Sequence, residues 1–305
     1  MRVAGIDCGT NSIRLLIADV DDGRLRDVDR RMEIVRLGEG VDRTGRLSPQ
    51  ALERTFIAAG SYAERIRQSG AQRVRFVATS ASRDAENSSD FVAGITEILG
   101  VAPEVISGEE EARLSFTGAV RSLPPLPAPA LVVDIGGGST EFVLGDSDET
   151  VLASISVDMG CVRMTERHIT GDPPIASELQ AITTDVDALL EQVRQSVPLE
   201  ETASLVGLAG TVTTVSALAQ DLPSYDAQRI HGSLVGAGEV SRVAAELATA
   251  SSAQRLALPV MHPGRADVIV AGSLVLDRIV KACGVDEVHV SEHDILDGIV
   301  WSQTR

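Results

Sequence analysis

The feature that most constrains this chain of 305 residues is a hairpin pattern that occurs twice. Residues 131–146, LVVDIGGGSTEFVLGD, read as a buried strand, a glycine turn and a second strand. Residues 3–19, VAGIDCGTNSIRLLIAD, have the same order, and laying Asp7 on Asp134 aligns the two stretches without a gap. One copy of the repeat in each half of the chain predicts two related α/β lobes.

The turns of both hairpins are suited to binding phosphate. Glycines let the backbone approach a ligand closely, and successive amides in such a turn form a nest for phosphate oxygens, which neighbouring hydroxyls supplement. The simpler interpretation is two tight β-hairpins, but the same Asp and Ser at the same offsets favour a phosphate site. The candidate phosphate-binding residues of the turns are Gly9, Thr10, Asn11, Ser12, Gly136, Gly137, Gly138, Ser139 and Thr140.

An aspartate precedes each turn, Asp7 in the first hairpin and Asp134 in the second. A carboxylate beside a phosphate nest indicates a metal ion between the like charges. Other phosphate motifs do not fit. A dinucleotide-binding GxGxxG would need glycine at Glu141, and the Gly-Lys-Ser/Thr of a Walker loop is absent.

Composition excludes some classes of protein. The net charge of −17 argues against a general nucleic-acid binder. The three cysteines, Cys8, Cys161 and Cys283, are isolated and form no CxxC or zinc-type spacing, which favours a reduced cytosol. The N-terminus lacks the pattern of a leader, and the apolar run 268–280 is interrupted by charges. We therefore expect a cytoplasmic protein that neither spans a membrane nor binds nucleic acid, and a homodimer as the commonest assembly.

The proline-rich stretch SLPPLPAPA, residues 122–130, predicts the domain boundary, because its four prolines fit neither a helix interior nor a central strand. The predicted lobes are 1–124 and 125–305, with the last helix able to pack back on the first lobe. Asp21-Asp22-Gly23 predicts a turn and residues 79–88 a polar loop. Predicted strands cover 2–8, 12–20, 25–37, 73–79, 103–106, 131–135, 140–145, 150–158, 203–209 and 286–290. Predicted helices cover 49–69, 88–99, 108–121, 160–168, 176–196, 237–250, 264–282 and 293–302.

Three consecutive glutamates open the predicted helix 108–121. Ser107 and Glu110 match a capping box, and Glu109 is spaced to pair with Arg113. Glu111 has neither role and lies at the edge of the apolar stripe of the helix, where a carboxylate could accept a proton from water attacking phosphorus. The alternative is that all three glutamates only complement the helix dipole, and the residues by themselves leave both interpretations open.

Two further stretches are compatible with phosphate binding. Arg83 lies just past a predicted strand end, where α/β folds place ligand contacts, although an ordinary surface arginine fits equally well. GLAGTVTT, residues 207–214, has threonines at the start of a helix, which suits an anion but also ordinary turn chemistry. The histidines lack metal-binding spacing, and only the one at position 293 lies at a strand end where it could face a cleft. They are His168, His231, His262, His289 and His293.

These motifs together resemble known families. GIDCGTNSIRLLIAD and VVDIGGGSTEFVLG resemble the phosphate-1 and phosphate-2 motifs of the actin-like superfamily. RLGEGVDRTGRLS, ATSASRDAEN, SGEEEARLSF and GGGSTE resemble the exopolyphosphatase/guanosine-pentaphosphatase family, and GLAGTVTT and VSEHDILDGI extend the resemblance to the C-terminus. The chain is similar to the short, two-domain members, which lack an additional C-terminal HD-type domain.

The resemblance implies an α/β fold of two related actin-like (ribonuclease H-like) lobes, each a mixed sheet flanked by helices, with the active site in the interlobe cleft. It implies processive or distributive hydrolysis of the terminal phosphate of inorganic polyphosphate with Mg²⁺, or Mn²⁺, as cofactor. The alternative substrate is guanosine pentaphosphate. A nucleotide-gated interaction protein and a small-molecule kinase are further alternatives from other classes.

The resemblance also assigns roles to individual residues. Glu111 corresponds to the catalytic base, Asp134 and Glu141 to the paired catalytic carboxylates, and Arg83 to a phosphate-binding arginine. The metal ligands would be Asp7, Asp134 and Glu141. The chain departs from the family at residues 296–298, Leu-Asp-Gly, where the family has arginine at the first position.

Overall fold

The computed structural model describes residues 1–21, 24–146 and 150–304. Two residues of the predicted Asp21-Asp22-Gly23 turn lie outside this part of the chain. The chain forms two compact units, and the first contains both chain termini. Unit 1 comprises Met1–Gly118 and Ile295–Arg305, and unit 2 comprises Ala119–Asp294.

Unit 1 is built on a five-stranded mixed sheet with strand order β3-β2-β1-β4-β5. Its strands are β1 (Arg2–Cys8), β2 (Ser12–Asp21), β3 (Arg24–Ile34), β4 (Arg73–Ala78) and β5 (Glu104–Val105). Its helices are α1 (Val41–Thr44), α2 (Pro49–Ser69), α3 (Ser80–Asp84), α4 (Ser88–Leu99), α5 (Gly108–Val120) and, from the C-terminal end of the chain, α13 (Ile295–Ser302).

Unit 2 is built on a six-stranded mixed sheet with strand order β10-β11-β9-β6-β7-β8. Its strands are β6 (Ala130–Ile135), β7 (Thr140–Gly145), β8 (Val151–Val157), β9 (Ser204–Leu208), β10 (Leu234–Gly236) and β11 (Glu287–Val290). Its helices are α6 (Cys161–His168), α7 (Ala176–Arg194), α8 (Ala209–Ala219), α9 (Ala227–Ile230), α10 (Ala237–Thr249), α11 (Ser252–Leu256) and α12 (Ile269–Cys283).

The two sheets repeat one topology. In unit 1, β1 pairs antiparallel with β2 and parallel with β4, and in unit 2, β6 pairs antiparallel with β7 and parallel with β9. The order β3-β2-β1-β4-β5 therefore corresponds to β8-β7-β6-β9-β11, with β10 added at the edge. The predicted fold class, two related α/β lobes with mixed sheets flanked by helices, is confirmed.

Alternating side chains bury both faces of the unit 1 sheet. Ile6 and Cys8 face a core that includes Tyr62 of α2. On the opposite face, Val3 of β1 packs with Val300 of α13. Residues that follow each other in a strand point to opposite faces, so Asp7, between Ile6 and Cys8, lies on the face that α13 covers.

Several predicted elements need correction. Residues 79–88 are not only a loop, because α3 forms within them. The predicted strand 25–37 ends at Ile34, since the following amides bind the first hairpin turn instead of continuing the ladder. The predicted helix 264–282 begins at Ile269, because Pro263–Arg265 forms a separate 3-10 turn. The short elements α1, α9, α11 and β10 were not predicted.

Two further features of the chain are the hydropathy of its helices and the state of its cysteines. In the part of the chain that the structure describes, no helix is long and apolar enough to cross a membrane. Cys8, Cys161 and Cys283 are buried free thiols. Burial raises the pKa of the Cys161 thiol to about 11, so it is protonated at neutral pH.

Candidate functional site

The turn of the second hairpin is closed and supported by backbone hydrogen bonds. The amide of Gly136 donates to the carbonyl of Ser139 at 3.0 Å. At the start of α6, the amide of Cys161 donates to Gly136 O and that of Val162 to Gly137 O, each at 2.9 Å. The start of α6 therefore binds the carbonyl oxygens of the turn and fixes its conformation.

Two further residues complete this support. Arg163 Nε donates to Gly138 O at 2.8 Å. Gly160 lies so close to the turn that a Cβ atom there would be 2.1 Å from Gly137 O.

The hydroxyl of Thr140, at the end of this turn, makes a hydrogen bond within the fold. It donates its proton to Met159 O at 2.6 Å. The phosphate contact predicted for the Thr140 hydroxyl is therefore not supported.

The turn of the first hairpin is closed in the same way. The amide of Gly9 donates to Ser12 O at 3.0 Å, matching the Gly136–Ser139 bond. The amides of residues 35 and 36 donate to Asn11 O, and the amide of residue 38 donates to Thr10 O. The carbonyl oxygens of both turns are thus bound from one side by the segment that follows the third strand of each sheet.

The strand pairs next to the turns differ in charge. Asp7 is the direct partner of Arg14 across β1 and β2, and Arg14 binds Asp7 Oδ2 through Nε at 2.9 Å and Nη2 at 2.5 Å. In unit 2, Asp134 is the direct partner of Glu141 across β6 and β7. The first aspartate therefore has an arginine opposite, whereas the second has another carboxylate.

The pair of Asp134 and Glu141 fits a divalent cation. Both residues are buried, and Glu141 is only 1% exposed. Two buried carboxylates on one sheet face can share a cation, which lowers the cost of burying like charges side by side. Carboxylate oxygens are the ligands that Mg²⁺ prefers. Within the described residues, no group of three or more His, Cys, Asp or Glu side chains is arranged to hold a metal ion, so the role of Asp7 as a third ligand stays a prediction.

Glu111 and Arg83 form an ion pair in unit 1. Glu111 lies in the first turn of α5 and is 7% exposed. Its Oε2 accepts a hydrogen bond from Arg83 Nη1 at 3.1 Å, and the same Nη1 donates to Ile106 O at 3.0 Å. The structure therefore brings together two residues that the sequence singled out separately, and the arginine orients the carboxylate.

The other glutamates of this turn have structural roles. The amide of Glu110 donates to Ser107 Oγ at 3.2 Å, as a cap requires. Arg113 pairs with Glu110, with Nη2 and Oε2 2.7 Å apart, whereas we expected it to pair with Glu109. Glu111 is the buried member of the three, which agrees with its separate role in the sequence.

The stretch at residues 207–214 is arranged mainly for packing. Ala209 opens α8 with a φ of +65°, and a Cβ atom on Gly210 would lie 2.1 Å from the guanidinium carbon of Arg265. The hydroxyl of Thr214 donates to Gly210 O at 2.6 Å, and that of Tyr225 lies 2.8 Å from Thr213 Oγ1. These contacts favour ordinary turn chemistry here.

The C-terminal motif and His293 also make contacts within their own units. His293 packs edge-on against His231, with ring centroids 4.8 Å apart. Leu296, at the position where the family has arginine, is buried in the core of unit 1. Asp297 binds Arg30 Nη2 at 2.6 Å, and Gly298 lies against the carbonyl of Leu114 in α5.

Sequence reasoning missed three residues that contact the predicted site: Arg14, Ser156 and Arg163. Ser156 Oγ donates to Glu141 Oε1 at 2.7 Å. The available signal was strand register, because a hairpin turn of known length fixes which residues face each other. Register would have paired Asp7 with Arg14 and Asp134 with Glu141.

The repeated hairpins, their glycine turns and the paired carboxylates define an α/β protein of a phosphate-processing class. The chain belongs to the Ppx/GppA phosphatase family, whose sequence profile matches residues 16–305.

Individual relatives agree with this assignment. Exopolyphosphatase 2 of Mycobacterium tuberculosis is 51% identical over 314 aligned residues, which cover 99% of this chain and 98% of that protein. The crystal structure of an exopolyphosphatase-like protein is 42% identical, with a TM-score of 0.96, and covers 99% of this chain and 97% of its own. The Ppx/GppA family member of Aquifex aeolicus is 33% identical, with a TM-score of 0.83 and the same coverage of 99% and 97%.

Proposed function

We propose that this protein is an exopolyphosphatase, a hydrolase that removes the terminal phosphate of linear inorganic polyphosphate. Family membership and the 51% identity to exopolyphosphatase 2 support the substrate class. The observation that carries the chemistry is the buried Glu111 carboxylate, which Arg83 holds at 3.1 Å. Kinases and chaperones can share the glycine turns, but a buried, oriented carboxylate of this kind suits the activation of water.

Glu111 is the proposed general base. A positioned carboxylate accepts the proton of the attacking water as the new bond to the terminal phosphorus forms. The bond from that phosphorus to the bridging oxygen breaks, the shortened chain leaves with this oxygen, and inorganic phosphate is the other product. Arg83 keeps the carboxylate oriented and is the proposed phosphate-binding arginine, because guanidinium matches phosphate geometry. The proposed donors to phosphoryl oxygens are the backbone amides of residues 10–12 and 137–139. The amides of residues 9 and 136 close the turns, and the carbonyl side of each turn is already bound.

Asp134 and Glu141 are the proposed Mg²⁺ ligands, with Asp7 as an additional one and Mn²⁺ as a substitute metal. When bound, the ion neutralises negative charge on the phosphoryl oxygens. The two carboxylates would hold it beside the turn at residues 136–139, because Asp134 and Glu141 flank that turn on both strands.

Replacing Glu111 tests the proposal. Glu111→Gln keeps the shape but removes the base, so turnover of long-chain polyphosphate with Mg²⁺ should fall by about 10²–10⁴-fold. The matched control is Glu109→Gln, an exposed glutamate of the same helical turn, which should keep wild-type turnover. Phosphate release measures both, and near-normal turnover of the Glu111 variant would contradict the proposed base.

Guanosine pentaphosphate is the second candidate substrate, because the sequence motifs resemble the exopolyphosphatase/guanosine-pentaphosphatase family. Rates of phosphate release from long polyphosphate, guanosine pentaphosphate and ATP would rank the substrates. Binding without phosphate release would instead favour a nucleotide-gated interaction protein, and transfer from ATP to an acceptor would indicate a kinase. We further propose that the protein is cytoplasmic and forms a homodimer. Gel filtration with light scattering tests the homodimer.

A further inference from the structure

Three adjacent strands of unit 2 place three polar side chains in one row. Asp134 on β6 is the direct partner of Glu141 on β7, and Glu141 is the direct partner of Ser156 on β8. Directly paired residues of antiparallel strands point to the same face of a sheet. The preceding residue Ile155 packs against the main core of unit 2, so the row lies on the face away from that core.

Ser156 binds the middle member of the row. Its Oγ donates to Glu141 Oε1 at 2.7 Å, the usual length for a hydroxyl–oxygen hydrogen bond. A hydrogen bond to an ionised carboxylate is roughly twice as strong as one between neutral groups. Because a glutamate side chain has several rotatable bonds, this bond restricts the plane and position of the carboxylate.

The equivalent row in unit 1 provides an internal comparison. There Asp7 is paired with Arg14, and Arg14 is paired with Met32 on β3. Arg14 compensates Asp7 directly, and the third position carries a thioether in place of a hydroxyl. The hydroxyl is therefore found in the row that has two carboxylates, and it binds one of them.

We propose that Ser156 is a positioning residue that fixes Glu141 in the orientation needed to bind Mg²⁺ together with Asp134. This inference rests on the proposed function, in which Glu141 is a metal ligand. Hydrogen bonds to metal-binding carboxylates orient these ligands, and their loss typically weakens metal affinity or activity by about 10–100-fold. Ser156 acts through Glu141 and needs no contact with the substrate.

The experiment compares substitutions at one position in the full-length protein. Ser156→Thr keeps a hydroxyl, whereas Ser156→Val has nearly the same shape without one, and β-branched residues suit a strand. Titration calorimetry of Mg²⁺ into metal-free protein gives affinity directly, and the Mg²⁺ dependence of phosphate release gives activation. We expect Ser156→Val and Ser156→Ala to bind Mg²⁺ about 10–100-fold more weakly, and Ser156→Thr to remain close to wild type.

Ser154→Ala is the matched control. Ser154 lies two residues earlier on β8, on the same face, and is paired with Val143. This variant should keep wild-type Mg²⁺ affinity. Equal affinities in the Ser156→Val and Ser154→Ala proteins, both shown by circular dichroism to be folded, would overturn the positioning role.

Glu141→Gln separates this inference from the proposed function. If that variant binds Mg²⁺ and releases phosphate like the wild type, the assignment of Glu141 as a ligand is wrong. If it is impaired while Ser156→Val is normal, Glu141 keeps its role and only the inference about Ser156 fails.

Discussion

At the residue scale, the structure explains why two equivalent aspartates have different surroundings. The gap-free alignment of the repeats predicted that Asp7 and Asp134 correspond, and the matching turn hydrogen bonds agree with it. The resemblance predicted Glu141 as the partner of Asp134. Arg14 was not predicted as the partner of Asp7, because that pair depends on strand register rather than on residue type. The Arg83–Glu111 bond was also not predictable from spacing, since 28 positions separate the two residues.

Gly160 provides a test at this scale. Its φ of −94° is ordinary, so space rather than backbone conformation requires glycine. A methyl group in Gly160→Ala would collide with Gly137 O, displacing the turn. We expect a loss of stability of about 1–3 kcal/mol and a lower kcat/KM for polyphosphate.

Gly60→Ala is the control for this variant, because in the interior of α2 the added Cβ would meet no atom within 4 Å other than its chain neighbours and the nearby backbone of its own helix. Alanine at a helix interior should stabilise the protein by about 0.5–1 kcal/mol. Chemical denaturation and phosphate-release assays measure both variants. An active Gly160→Ala protein of unchanged stability would show that the turn does not depend on this close contact.

At the element scale, long periodic segments were predicted well and short ones were not. The predicted bounds of α2 and α4 agree with the structure, because Ser48 caps α2 before a proline and an apolar stripe continues through each helix. In contrast, α3 has a polar sequence without a stripe. It is held by tertiary contacts, including a 2.8 Å hydrogen bond between Thr10 Oγ1 and Ser80 Oγ, which local propensity does not reveal.

Hydrogen bonds to Glu178 near the start of α7 should make the stability of the protein depend on pH in the acid range. Glu178 accepts hydrogen bonds from the hydroxyl and amide of Thr170 and from the amides of Gly171 and Ile175. These bonds, the Thr170 hydroxyl first, lower the pKa of Glu178 from 4.5 to about 2. The native state therefore binds this proton more weakly than the unfolded state, so the contribution to stability is present above pH 4.5 and is lost as the pH falls towards 2.

Glu178→Gln should consequently be less stable than the wild type at neutral pH. Its melting temperature should also fall less steeply between pH 4.5 and the acid limit of folding, because the group that titrates has been removed. Glu97→Gln, at an exposed position of α4, should follow the wild-type curve. Thermal unfolding across this pH range tests the prediction, which fails if the Glu178 and Glu97 variants give the same curve.

At the scale of the whole molecule, the repeated hairpin predicted two lobes, and the proline-rich stretch predicted the position of the boundary between them. The units meet at residues 118 and 119, six positions before the predicted boundary at 124 and 125, and the segment Ile295–Arg305 belongs to unit 1. The apolar residues of this segment explain its position. Ile299 packs with Val77 of β4 and Leu114 of α5.

Ile299→Ala measures how strongly this returning helix stabilises unit 1. The side chain is 0% exposed, so its truncation should lower the free energy of unfolding by about 2–5 kcal/mol. Ile57→Ala removes the same atoms from a side chain that is 69% exposed and should change stability by about 0.5 kcal/mol or less. Denaturant unfolding compares the two, and equal effects would show that α13 contributes little to the unit.

The return of the chain to unit 1 determines the order in which the molecule can be completed on the ribosome. Val3, Leu16 and Val20 are made before residues 119–294, whereas their partners Leu296 and Val300 are made after them. In most multidomain proteins the N-terminal domain folds first during synthesis. Here residues 119–294 emerge before one face of the first sheet can be covered. Apolar surface of unit 1 is therefore exposed while residues 119–294 are synthesised. This surface is the part of the nascent chain that chaperones would need to protect.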